Sequence, residues 1–212
     1  MSRLSSPLWR YLGSAVSWLL FTFCFTLLAV GASIVMGLGG FCASGGAYVI
    51  ETQCPAVVAW STPVSIFGGL IAVAIGFAVA RGFGTPVISW AWPILFIGLG
   101  LAFAGSGLAA GVEGIVFDLL ALMFIVMGGV PLVIELRANP QGFLLGSTNA
   151  EGTKFATSET GRRSLYSFSG AAPNPAGPVL PTARDWALSL GILLVFGGIG
   201  VYLALQIFVA AG

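Results

Sequence analysis

The 212-residue sequence predicts an all-α membrane protein, a single domain built as a bundle of five transmembrane helices. Three observations support this prediction. The chain is 58% hydrophobic and only 7% charged, whereas a typical soluble domain has about 25% charged residues. Five apolar stretches reach the ~20 residues needed to cross a ~30 Å hydrocarbon core. All eight Lys and Arg residues fall in alternate connections between these stretches, as expected when positive charge concentrates in cytoplasmic loops.

The predicted spans cover residues 13–37, 61–83, 87–110, 114–136 and 186–209. The first apolar run is too long for a signal peptide and lacks a cleavage site followed by a polar mature chain, so we expect it to be retained as a helix. Short segments join spans two, three and four, and short connections favour antiparallel neighbours. We therefore expect these three spans to form a compact unit, with spans one and five beside it.

The basic residues define the predicted orientation. Arg3 and Arg10 precede span one, and Arg81 lies between spans two and three. The remaining five lie between spans four and five: Arg137, Lys154, Arg162, Arg163 and Arg184. The loops at 38–60 and 110–114 contain neither Lys nor Arg. The N-terminus is therefore predicted to be cytoplasmic and the C-terminus extracytoplasmic.

Two of the three cysteines lie in the loop that this orientation places outside the cell. Cys42 and Cys54 are predicted to form a disulfide there, because disulfides persist in oxidising compartments. The alternatives are two free thiols or two metal ligands, although two thiols without His or nearby carboxylates make a poor metal site. Cys24, in the middle of span one, is expected to be a small apolar packing residue.

Small residues form ridges on three spans. Helices in lipid associate where small residues let their backbones approach closely. The ridges comprise Gly68, Ala72, Gly76 and Ala80 in span two, Gly98, Ala102 and Ser106 in span three with Gly100 and Ala104 beside them, and Gly197, Gly198, Gly200 and Ala204 in span five. Two interpretations stay open at this point: packing between helices of one chain, or docking onto the helices of a partner.

Proline and tryptophan mark further features of the spans. Pro131 in span four predicts a kink near 127–131, because proline removes a backbone donor and clashes with the preceding turn. Five tryptophans near the predicted span ends are interpreted as an interfacial aromatic belt: Trp18, Trp60, Trp90, Trp92 and Trp186.

The connection 137–185 is predicted to be a low-complexity cytoplasmic loop. Its Ser, Thr and Gly run and its Pro-rich end are typical of a disordered or extended linker. Its apolar residues are sufficient to anchor it on a neighbouring protein or on the membrane surface: Phe143, Leu144, Leu145, Phe155, Leu165, Tyr166 and Phe168.

Residues that carry chemistry are scarce. The chain has no His, no phosphate-binding loop and no serine beside a base, so we expect no enzyme activity, no cofactor and no metal. A net charge of +1 gives no reason to expect nucleic-acid binding. Asp118 is the one acid clearly inside a span. It is interpreted as a residue at a helix N-terminus, where the macrodipole favours negative charge, with a proton or cation site as the alternative.

The outer loop carries a resemblance to a known group. The segment Gly40–Tyr48, followed by Cys54-Pro55 and by Gly-Gly-Leu-Ile at 68–71, resembles a pattern shared by uncharacterised integral membrane proteins of actinobacteria. The resemblance covers residues 37–80. It implies a bacterial plasma membrane and an oxidised outer loop, and it implies no activity.

These observations favour a non-catalytic function. The first expectation is an accessory or structural subunit of a larger bacterial membrane complex, of the respiratory or transport kind, with the lipid bilayer and other membrane subunits as its partners. The alternative is a small solute or ion transporter or channel that uses Asp118 as its polar element. A third class is a membrane sensor or insertion factor that uses the 137–185 loop.

Overall fold

A computed structural model of the protein describes residues 6–38, 42–43, 52–110, 114–155 and 179–211. Within these residues the chain forms six α-helices and one π-helical segment that continues the second helix. The helices are α1 Pro7–Gly37, α2 Ala56–Ile75 with its π-helical extension Gly76–Ala80, α3 Val87–Ala110, α4 Ile115–Ala138, α5 Pro140–Leu145 and α6 Ala183–Ala211. All but α5 are long and apolar enough to cross a membrane. The predicted all-α, five-helix membrane fold is confirmed.

The observed spans extend past the predicted ones mainly at their N-termini. α1 begins at Pro7 rather than at residue 13, and proline suits the first helical position because its missing N–H would be unpaired there anyway. α2 begins at Ala56, directly after Pro55. α6 begins at Ala183 because Thr182 and Asp185 cap it reciprocally: Asp185 N–H donates to Thr182 Oγ1 over 3.3 Å, and Thr182 N–H donates to Asp185 Oδ2 over 2.8 Å.

The first helix, α1, is the central helix of the bundle. It packs against α2, α3 and α6, while α4 packs mainly against α3. Small residues on α1 permit this close approach: a Cβ on Gly13 would meet the backbone nitrogen of Ala80 at 2.8 Å. α2 and α3 make few contacts with each other although a short turn joins them. The predicted compact unit of spans two, three and four is therefore wrong.

All of the described basic residues lie at one end of the bundle, which we call the basic end. The helices alternate in direction, so the start of α1, the 81–86 turn, the end of α4 and the start of α6 share this end. It carries Arg10, Arg81, Arg137, Lys154 and Arg184. Arg3, Arg162 and Arg163 lie outside the described residues. The cytoplasmic location of the basic end stays a prediction.

Residues 139–155, which we call the cap, fold against the basic end. The cap begins with α5, where the Asn139 side chain accepts a hydrogen bond from Gly142 N–H over 2.9 Å. Phe143, Leu145 and Phe155 are buried, so the cap covers the bundle of its own chain. The expectation of a disordered or extended linker is therefore wrong for 139–155. Residues 156–178 lie outside the described part of the chain.

The indole N–H groups of Trp18 and Trp92 donate hydrogen bonds to backbone carbonyls within the bundle. Proline at 131 removes the N–H that would otherwise bond to the Met127 carbonyl of α4. Trp92 Nε1 on α3 donates to that carbonyl over 3.0 Å. Trp18 is only 1% exposed and donates to the Thr85 carbonyl over 2.7 Å. The belt interpretation is therefore wrong for Trp18, which lies in the core between helices.

Candidate functional site beneath the cap

A cavity of about 230 Å³ lies at the basic end, between α1, the π-helical segment, the start of α3 and the cap. Its polar lining side chains are Ser14, Ser17, Thr85, Ser89, Asn139, Ser147 and Lys154. Among the described residues that line it, Lys154 is the one charged side chain. The cavity therefore combines several hydroxyl groups with a single positive charge.

The turn after the π-helical segment shapes one wall of the cavity. Arg81 and Gly82 both have positive φ angles, 50° and 85°, a conformation that glycine adopts without a steric penalty. A Cβ on Gly82 would also collide with the Ser147 side chain. Glycine here lets the cap approach, and the Gly82 carbonyl accepts hydrogen bonds from Ser147 N–H at 2.8 Å and Thr148 N–H at 3.1 Å. π-Helical segments often occur at functional sites.

Side chains from α3 and the preceding turn fasten the cap. Thr85 Oγ1 donates to the Leu144 carbonyl over 2.7 Å. Trp90 Nε1 donates to the Phe143 carbonyl over 3.0 Å, and the Trp90 and Phe143 rings lie 4.6 Å apart between centroids. These contacts hold the cap at a fixed distance from α3 and keep the cavity open between them.

A buried arginine lies behind the cap. Arg10 is 7% exposed, and its Nη1 donates to Thr148 Oγ1 over 3.4 Å. Thr148 Oγ1 in turn donates to the Arg81 carbonyl over 3.3 Å. Arg81 and Glu151 are the charged neighbours of the guanidinium, and its Nε has no hydrogen-bond partner among the described residues. This end of the bundle therefore holds more positive than negative charge close to the cap.

The wall of the cavity carries polar side chains that have no hydrogen-bond partner within the described chain. Its nearby carbonyls are occupied: the Ala72 carbonyl accepts from Ser17 Oγ over 2.7 Å, and those of Thr85, Phe143 and Leu144 accept the bonds described above. Within the described chain, the side chains of Ser14, Ser89 and Lys154 make no hydrogen bond, although Ser14 and Ser89 are only 3% and 6% exposed.

The small residues predicted on span two face α1. A Cβ on Gly68 would meet Cys24 Sγ, and one on Gly76 would meet Ser17 Oγ. Ala72 and Ala80 are buried at the same interface. This ridge is used for packing within the chain.

On spans three and five, the predicted residues Gly98 and Gly200 also face α1. A Cβ on Gly98 would meet the Phe25 ring, and one on Gly200 would meet the backbone of Leu19. Ala204 is fully buried. In contrast, a Cβ on Gly191 or Gly198 of α6 would meet nothing within 4 Å. Gly198 is thus one of the predicted small residues, but it faces away from α1, and Gly191 was not among those predicted.

The predicted disulfide and Asp118 lie at the end opposite the cavity. The structure contains the Cys42–Cys54 disulfide, with a Cα–Cα distance of 4.9 Å. Backbone bonds support it, because Ala43 N–H donates to the Thr52 carbonyl and Cys54 N–H donates to the Ala43 carbonyl, each over 3.0 Å. Asp118 lies in the first turn of α4, exposed, with its carboxylate beside Gly107 of α3.

Sequence reasoning missed the residues that line the cavity. Ser14 and Ser17 lie three residues apart on α1, but the helix also carries Thr22, Thr26 and Ser33, so this spacing is a weak signal. Lys154 was used only to assign the orientation, because nothing in the sequence joins it to Ser14 or Ser89 before the cap is folded.

Among the described residues, no group of three or more His, Cys, Asp or Glu is placed to hold a metal ion. No family model matches the chain, and no curated protein or solved structure matches it either.

Proposed function

We propose that this chain is a non-catalytic accessory subunit of a larger assembly, of the respiratory or transport kind, in a bacterial plasma membrane. The observation that carries the proposal is the outward face of α6. Gly191 and Gly198 lie seven residues apart on this face, and each has open space where a side chain would begin. Such small residues allow close backbone approach by a second helix.

A polar residue shares the outward face of α6. At about 100° per residue, Gly191, Gly198, Tyr202 and Gln206 fall within an arc of roughly 80°. Gln206 is exposed and makes no hydrogen bond within the described chain. An amide on the lipid side of an apolar helix is stabilised by an interhelical hydrogen bond, which a partner helix supplies. The face thus combines close approach with a polar contact.

The interior of the bundle gives less support to the alternative, a transporter or channel. A transport path needs polar groups that continue between the helices. The cavity and Asp118 lie at opposite ends of the bundle, and the α3–α4 interface between the ends is aromatic. Its rings are Phe96, Phe103, Phe117 and Phe124, with neighbouring centroids 5.3–6.2 Å apart.

Purification from native membranes tests the proposal. The tagged chain should co-purify with defined membrane proteins in mild detergent, and Gly198→Leu should abolish this because it fills the open face of α6. Gly69→Leu is the matched control, since a Cβ on Gly69 of α2 would also meet nothing within 4 Å. Both variants should keep the thermal stability of the isolated chain.

Two results would contradict the subunit proposal. One is a wild-type chain that purifies alone from native membranes. The other is a Gly198→Leu variant that retains the same companions as Gly69→Leu. Gly200→Leu is uninformative about partners, because it would collide with α1 of the same chain.

A further inference from the structure

The cavity beneath the cap has the chemistry of a small anion site. Its lining holds the Lys154 ammonium and no described Asp or Glu side chain. The buried hydroxyls of Ser14 and Ser89 face the same space without hydrogen bonds to the described chain. Neither hydroxyl is among the fully enclosed unpartnered side-chain atoms of the described chain, which are Arg10 Nε and Ser189 Oγ. Both hydroxyls are therefore available to a ligand in the cavity.

The N-terminus of α3 lies in the wall of the cavity, across from the C-terminus of the π-helical segment, whose dipole has the opposite sign. Val87 and Ile88, the first two residues of α3, line the cavity together with Ser89. The first N–H groups of a helix have no carbonyl partner within it, and the helix dipole places partial positive charge there. Of the three, Ser89 N–H donates to the Pro86 carbonyl over 3.1 Å, which leaves the N–H groups of Val87 and Ile88. Phosphate groups bind at such positions when other donors are present. Here the other donors are two hydroxyls and an ammonium.

We propose that this cavity binds the phosphate group of a small molecule or of a lipid headgroup. A phosphate has several acceptor oxygens, which suits donors that converge from α1, α3 and the cap. The volume of about 230 Å³ is below the ~300–1,000 Å³ of sites for drug-sized ligands, so the bound portion is a phosphate with a short polar substituent. The inference is independent of the accessory-subunit proposal, because it concerns the opposite side of α1 from α6.

Two sources of phosphate are compatible with this site. Phe77 lines the cavity and is about half exposed on the outside of the π-helical segment, which gives the cavity a wall toward the lipid. A phospholipid headgroup would enter on this side. A free phosphate ester would enter from the solvent at the basic end.

Binding measurements on the purified full chain test the site. One arm titrates glycerol 3-phosphate into detergent-solubilised protein and measures heat. The other arm detects retained lipid by native mass spectrometry after reconstitution in nanodiscs of phosphatidylglycerol or of phosphatidylcholine. Saturable binding in the first arm identifies a free ester, and selective retention of phosphatidylglycerol in the second identifies a headgroup.

Variants connect the binding to the cavity. Lys154→Gln should weaken whichever binding is observed at least tenfold, and Ser89→Ala should weaken it several-fold. Arg184→Gln is the matched control, because it removes one positive charge at the same end from a residue that does not line the cavity. The control should change binding less than twofold, and thermal unfolding should show that all three variants remain folded.

The proposal is overturned if neither arm shows saturable or selective binding by the folded wild-type protein. It is equally overturned if Lys154→Gln and Arg184→Gln weaken binding to the same extent, because the effect would then be one of net surface charge. Loss of co-purifying proteins in the Gly198→Leu variant tests only the accessory-subunit proposal and does not affect the phosphate-binding measurements. Each proposal can therefore be refuted independently of the other.

Discussion

The hydrogen bond from Trp92 to the Met127 carbonyl should stabilise the fold most when Pro131 is present, because proline removes the helical N–H that would otherwise donate to this carbonyl. Trp92→Phe keeps an aromatic ring beside Phe96, whose centroid lies 4.3 Å from that of Trp92, but it removes the indole N–H. The Met127 carbonyl then has neither Trp92 nor a residue-131 N–H as its donor. Interhelical hydrogen bonds in membranes average about 0.6 kcal/mol and reach about 1.7 kcal/mol. We expect a loss of about 1 kcal/mol in the free energy of unfolding.

The same substitution should cost much less when Pro131 is replaced. Pro131→Ala restores an N–H four residues after Met127, so the carbonyl regains its helical donor. In the Pro131→Ala background, Trp92→Phe should lower the free energy of unfolding by less than about 0.3 kcal/mol. Compared with the loss of about 1 kcal/mol in the presence of Pro131, this gives a coupling energy between the two sites of about 0.7 kcal/mol or more.

Unfolding in detergent measures this double-mutant cycle. For a chain of this length, 1 kcal/mol corresponds to a shift of about 2–4 °C in Tm. Trp60→Phe is the control, because Trp60 and Trp92 are 43% and 42% exposed and the Trp60 side chain makes no hydrogen bond within the described chain. An equal cost of Trp92→Phe in both backgrounds would refute the reasoning.

Three further predictions concern the two ends of the bundle. Replacing Cys42 and Cys54 with Ala should cost about 3 kcal/mol of stability for the loop they close, and free thiols in protein isolated without reductant would contradict the disulfide. Thr85→Val should accelerate hydrogen exchange in the cap, because about 1 kcal/mol of anchoring is lost. Thr62→Val should not do so, since the Thr62 hydroxyl bonds to Val58 of its own helix. Asp118→Asn should change stability by less than about 0.5 kcal/mol, and loss of a coupled uptake activity would instead favour a transporter.

The sequence predicted the five spans because length and hydropathy alone determine which segments cross a bilayer. It also predicted the disulfide, because two cysteines share a loop without basic residues. The predicted positions of the helix ends were less accurate. The cap at Thr182 and the proline in the first turn of α1 extend these helices beyond the apolar run. Most of the predicted ridge glycines face α1, whereas Gly198 faces outward, and the sequence alone left open whether a ridge packs within the chain or against a partner.

The central position of α1 and the fold of the cap were not predicted. Chain order suggested that spans joined by short turns pack together, but Gly13 and Ser17 give α1 the closest approach to the α2 extension. The composition of the cap predicts a linker, because most of its residues are small or polar. Its few apolar residues are buried by contacts with distant segments, such as Trp90 against Phe143. The cavity depends on the cap, so its lining residues could not be grouped from the sequence.

The most direct test of the accessory-subunit account is photo-crosslinking in native membranes. A photoreactive residue at Tyr202, which is 61% exposed on the outward face of α6, should give one discrete protein adduct. The same residue at Leu70 of α2, which is 64% exposed, should give lipid adducts. A discrete protein adduct at position 202 alone is the predicted result. Only lipid adducts at both positions would contradict a partner on α6 and, with it, the proposed function.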